Sequence, residues 1–131
     1  MKASDLMIDD WVYCHQPECK GHRIDYIHEA DEEVGADGEI YSIDDIDPIP
    51  LTSEILEKNG FTHSFGDSDF YDYEKWEKKV DNKTIRVIKD HDGWFCRVDD
   101  NKLTRSMGIA PAVHTMQNII RIGGIDWNLE L

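Results

Sequence analysis

The sequence predicts an α+β fold: a three-stranded, bent, SH3-like N-terminal sheet, a short helix, then a four-stranded antiparallel meander packed by a C-terminal helix. Three observations carry this expectation. Apolar and polar residues alternate in short runs through much of the chain, the pattern of strands with one buried face. The runs of the second half are separated by Asp81-Asn82-Lys83, Asp90-His91-Asp92-Gly93 and Asp99-Asp100-Asn101-Lys102, residue types that tolerate the positive φ of tight hairpins. Helix start and stop signals bracket two other segments.

Taken in order, the first strand centres on residues 10–14 and the second on 22–28, where Ile24 and Tyr26 oppose Arg23, Asp25 and Ile27. Pro17 marks the loop between them, because proline fixes its own φ and biases its predecessor away from helix. Residues 29–38 carry five acids and two glycines and are expected to form an exposed loop before a third strand at 39–43. Pro48 and Pro50 stiffen a connector into the first helix. Thr52 is its expected N-cap, Leu51 and Leu56 a hydrophobic staple, and Asn59-Gly60 its left-handed stop. A helix of about seven residues does not hold alone, so Ile55, Leu56 and Phe61 must pack on a sheet.

Residues 61–76 are irregular and rich in rings, and read as an acidic, aromatic loop. Four strands follow at 76–80, 84–89, 94–98 and 103–107. Ile85 and Val87 share one face, Thr84, Arg86 and Ile88 the other, and Trp94, Cys96 and Val98 oppose Phe95 and Arg97. The last helix is expected to start at Pro111 and end before Gly123-Gly124. Its apolar stripe is Val113, Met116, Ile119, Ile120 and Ile122, and its wet side His114, Gln117, Asn118 and Arg121. The tail at 125–129 adds an edge strand or tucks Trp127 against the helix. Residues 1–60 and 61–131 form the two parts of what is expected to be one compact unit.

The 131 residues suit one domain or two subdomains, and 40% hydrophobic content is enough to build a core. Twenty-eight acidic residues against 14 basic ones give a net charge of −14. The excess is lopsided: up to residue 55 there are 15 acids and 3 bases, and beyond it 13 and 11. Clustered carboxylates repel phosphate backbones and anionic lipid, so the expected partner is a basic protein, with no direct nucleic-acid binding and no membrane. No apolar run is long enough to span a bilayer, and no signal-peptide pattern opens the chain. Three cysteines make an odd number that fits a reducing compartment, and the protein is expected to be cytoplasmic with free thiols.

Three stretches, KASDLMIDDWV at 2–12, IPLTSEILEKNGF at 49–61 and VHTMQNIIRIGGI at 113–125, together resemble an uncharacterised family of small proteins of Bacteroides-type bacteria and their phages or mobile elements. The family usually shows glycine where this chain has Asp9, and leucine at Met116. The resemblance implies a phage or mobile-element setting; it implies no activity, cofactor or catalytic residue.

Candidate chemistry is sparse. Cys14, His15, Cys19 and His22 are the densest cluster of potential metal ligands, with Cys14, Cys19 and His22 its core and His28 or Cys96 able to complete a site by folding, but structural zinc normally draws on two closely spaced ligand pairs, and the Cys-x4-Cys-x2-His spacing supplies no second pair. Asp67, Asp69 and Asp72 lack the glycine and glutamate that a calcium loop places at its sixth and twelfth positions. No nucleophile elbow, phosphate loop or His-Glu-x-x-His is present. His114, Asn118 and Arg121 share a helical face, for which a solvated side is the ordinary explanation. A small metal-dependent enzyme and a structural phage component are therefore the alternatives to the favoured reading, a cofactor-free, non-enzymatic, acidic protein-interaction module. Its expected contact residues are Asp44, Asp45, Asp47, Tyr71 and Tyr73, carboxylates and rings being the common currency of interfaces.

Overall fold

The structure, a computed structural model, describes residues 1–14, 21–67, 72–101 and 103–131. It contains three antiparallel sheets and two α-helices, an α+β fold dominated by strands. No helix among the described residues is long and apolar enough to cross a membrane. The chain divides into two compact units: Met1–Pro50 with Ala112–His114, and Leu51–Pro111 with Thr115–Leu131.

The first unit holds six short strands, β1 (Trp11–Cys14), β2 (Gly21–Arg23), β3 (Tyr26–His28), β4 (Glu33–Ala36), β5 (Glu39–Ser42) and β6 (Ile46–Pro48). They form two three-stranded sheets, ordered β2-β1-β6 and β3-β4-β5. This corrects the expected single three-stranded sheet. The strand expected at 22–28 is broken at Ile24 and Asp25, whose amides donate to Asp10 and to Gly35 respectively, so the two halves join different sheets. The expected acidic loop at 29–38 contains β4, with Val34 and Ala36 fully buried. β4 turns into β5 through Asp37 and Gly38, both at positive φ, as a two-residue hairpin demands. The connector supplies β6, and the core gathers Ala3, Leu6, Val12, Cys14, Ile24, Val34, Ala36, Ile43 and Ile46.

Two side chains fasten the start of this unit. Glu32 accepts the Ala3 amide at 2.7 Å through Oε2, and buried Asp10 accepts the Met7 amide at 2.9 Å. Asp9 adopts φ +74°, a left-handed conformation that suits glycine best and that Asp tolerates better than most residues.

In the second unit, α1 (Ser53–Lys58) begins and ends as its punctuation requires: Thr52 Oγ1 accepts the Ile55 amide, Asn59 is the C-cap, and Gly60 follows at φ +83°. Leu56 and Phe61 are buried. Five strands follow as a meander: β7 (Thr62–Asp67), β8 (Asp72–Val80), β9 (Lys83–Asp90), β10 (Gly93–Asp100) and β11 (Leu103–Ile109). The four expected strands thus gain β7 from the stretch read as a loop. One face is dry, with Trp76, Ile85, Val87, Cys96 and Val98 each no more than 1% exposed.

Helix α2 (Val113–Ile122) starts two residues after Pro111, because Ala112 bridges to Pro50 before the helix begins. In the second unit it packs on the dry face beside β11, where Ser106 Oγ donates to the Ile119 carbonyl at 2.6 Å. Two expectations about its faces are corrected. His114 and Gln117 are buried, and Ile122 is 71% exposed. Within the second unit the tail accounts for Gln117: Ile125 and Leu129 are buried, and Gln117 Nε2 donates to Asn128 Oδ1 at 2.6 Å.

Candidate functional site

The acidic surface belongs to the first unit. Asp44 and Asp45 lie on a single 3-10 turn, Ile43–Asp45, capped by Ser42 Oγ, which accepts the Asp44 amide at 3.3 Å. Ile43 and Ile46 are buried on either side of the two acids, so Asp44, Asp45 and Asp47 all face outward. No Lys or Arg among the described residues pairs with Asp44 or Asp45, and Asp25 and Glu29 are likewise exposed. Around them Asp9 pairs with Arg23 at 3.3 Å, His28 with Asp31 at 3.1 Å, and His22 Nδ1 with Asp37.

Of the aromatic contact residues, Tyr71 lies outside the described residues. Tyr73 is half-buried on β8 opposite Gly66. A Cβ at position 66 would run into the Tyr73 ring, so glycine is what lets the ring lie across β7. Phe65, on the same strand, is 76% exposed.

Of the metal-ligand candidates, Cys19 lies outside the described residues. Cys14 is fully buried in the first unit's core, and burial, reinforced by the carboxylates of Asp37 and Glu39, pushes its thiol up to about 11. His22 has its Nδ1 engaged by Asp37. Among the described residues the one close group of three hard or imidazole donors is instead Asp90, His91 and Asp92, in the turn between β9 and β10. That turn is shaped by the Asp92 amide donating to Asp90 Oδ1 at 2.8 Å, the ordinary use of Asp in a turn.

The open face of the five-stranded sheet is a surface that sequence reasoning missed. Helix α2 and the tail pack on the dry face, and pairing register assigns the residues of the other. One row across the strands runs Ser64, Lys75, Ile88, Phe95 and Ile109; the next runs Thr62, Glu77, Arg86, Arg97 and Met107. Lys75 Nζ meets Glu77 at 2.8 Å, and Arg86 and Arg97 both reach Asp99 Oδ2 at 3.0 Å. Thr104 Oγ1 donates to the other Asp99 oxygen at 3.0 Å. A hydrogen bond from Lys75 and the charges of Lys75 and Arg86 hold the Glu77 carboxyl below its ordinary range, against some burial. Towards β7 an open groove is lined by Thr62, Ser64, Glu77 and Lys79. The alternation of Arg86, Ile88, Phe95 and Arg97 signalled which face they share, but only register sets the charged row beside the apolar one.

The sequence matches no protein-family model and no curated protein, and no solved structure matches the fold.

Proposed function

We propose that the chain is a non-enzymatic protein-binding module, encoded by a phage or mobile element and acting in the cytoplasm. Its acidic first unit, with an SH3-like arrangement of its strands, grips a basic protein that handles nucleic acid. The carrying observation is the outward display of Asp44, Asp45 and Asp47 from a turn anchored by buried Ile43 and Ile46. Carboxylates held this way lose little entropy on binding, and the exposed charge of Asp44 and Asp45 steers a cationic partner to them. In this reading the carboxylates stand in for the phosphates that the basic partner normally engages.

The test is retention of basic proteins on the immobilised chain as salt rises. Retention should fall steeply between low and moderate ionic strength, because exposed pairs are screened within about 8 Å at physiological salt. The triple variant Asp44→Asn, Asp45→Asn, Asp47→Asn should weaken retention roughly three- to tenfold, three exposed pairs being worth a few tenths of a kcal/mol each. Retention that ignores salt rejects the reading.

A further inference from the structure

We infer that the open face of the five-stranded sheet is a second docking surface, which takes an acidic segment of a partner protein with an apolar side chain laid over Ile88 and Phe95. Lys75, Arg86 and Arg97 face two carboxylates, Glu77 and Asp99, and both guanidiniums share one Asp99 oxygen. Exposed Lys79 adds a further cation at the groove. With Asp90 at the end of β9 counted, four cations on this face meet three carboxylates, so on a chain of net charge −14 it is locally cationic, and acidic charges more than a Debye length away do not cancel a contact made on it.

Ile109 is 75% and Met107 57% exposed at the β11 side of the same face, next to half-buried Phe95 and Arg97. An apolar row beside a row of guanidiniums matches a ligand that carries both carboxylates and an apolar anchor. Nucleic acid fits less well, because bases need rings to stack on and this row offers aliphatic Ile88 and Ile109 around a single ring, Phe95. Strand addition at β11 is also disfavoured. The register of β11 against β10 slips between Val98 and Asp99, which leaves Arg105 as an extra, charged residue on the edge. The ligand therefore lies on the face and not along this edge.

The inference stands apart from the acidic-unit reading, and its test separates the two. Short synthetic peptides alternating Glu with Leu, and Lys with Leu, are titrated into the whole labelled protein while backbone amide resonances are followed. The Glu peptide should shift the amides of Lys75, Arg86, Phe95 and Arg97 saturably, and the Lys peptide should not. Ile109→Glu and Lys79→Glu, both at exposed positions, should each weaken the Glu peptide roughly fivefold, the effect of about 1 kcal/mol of like-charge contact. Their undisturbed spectra elsewhere would confirm that they fold. The triple Asn variant of the acidic turn should leave this binding unchanged. Four results overturn the inference: no shift on the face with the Glu peptide, equal shifts with the Lys peptide, shifts there with oligothymidylate instead, or dilution-dependent shifts there without ligand. The last would make a second copy the occupant.

Discussion

The Asn59 side chain holds the main chain of Glu130 from both sides: its Nδ2 donates to the Glu130 carbonyl and its Oδ1 accepts the Glu130 amide, each at 2.7 Å. The same Nδ2 donates to the Ile55 carbonyl at 2.8 Å, so one amide ties the C-terminal end of α1 to the tail. Leu129, alongside, is 1% exposed. Each of these bonds contributes about 0.5–1.5 kcal/mol net. Asn59→Ala should therefore lower stability by about 1.5–4.5 kcal/mol in urea unfolding, and hydrogen exchange of the Glu130 amide should accelerate more than that of the sheet. Asn59→Asp should cost at least as much, since a carboxylate turned toward two carbonyls has nothing to donate.

Asp99 is the hub of the open sheet face, 8% exposed and bonded to Arg86, Arg97 and Thr104. Removing one partner of a buried ion cluster leaves the others uncompensated, and here two guanidiniums would be left facing each other. Because both arginines are about one-third exposed, solvent softens the loss. Asp99→Ala should cost about 2–3 kcal/mol, with Asp99→Asn less damaging because it still accepts hydrogen bonds. High salt should narrow the gap between Asp99→Ala and the parent in denaturant unfolding. An equal gap in low and high salt would assign the loss to packing instead.

What could be read from the sequence was whatever local chemistry decides. Helix α1 needed only Thr52, Asn59 and Gly60, and the inner face of the meander needed only alternation through Ile85, Val87, Cys96 and Val98. β7 escaped because its outward Thr62 and Ser64 are polar, and its inward His63 is a ring stacked on Trp76 instead of an aliphatic residue. β4 was masked by the acids around Val34 and Ala36, although Asp37-Gly38 carried the hairpin signal. Gln117 is dry because Asn128 reaches it, a contact no helical period encodes. Asp44, Asp45 and Asp47 could be picked out as candidate residues. The paired rows on the sheet face could not, because their neighbours are set by register between strands.

His114 gives the first unit a pH dependence with a definite sign. It is 6% exposed, its Nδ1 has no hydrogen-bond partner among the described residues, and burial lowers its pKa below the ordinary 6.5, opposed in part by the charge of Asp5. A histidine whose folded pKa is depressed takes up its proton more readily when unfolded, so unfolding gains as pH falls. Stability should be full above about pH 6.5 and decline as pH drops through the lowered folded value. His114→Leu should flatten that decline while staying within about 1 kcal/mol of the parent at pH 8, because the buried site loses an unsatisfied nitrogen. The check is unfolding free energy for both proteins from pH 8 to 5; parallel curves would remove His114 from the account.

The free edge of β11 is guarded by Arg105. The strand exposes Leu103, Met107 and Ile109, a composition that invites pairing with another chain, and the register slip and the guanidinium, held to Asp100 at 3.0 Å, stand against it. Replacing Arg105 with valine removes the charge and raises β propensity at the one residue that disrupts the ladder. Arg105→Val should leave thermal stability within a few degrees of the parent and yet promote concentration-dependent association, seen by light scattering and as a rise in sedimentation coefficient. Arg105→Lys keeps a charge on the edge and should remain as dispersed as the parent. If Arg105→Val also stays dispersed at high concentration, the slip in register alone protects the edge, and the charge contributes only its pair with Asp100.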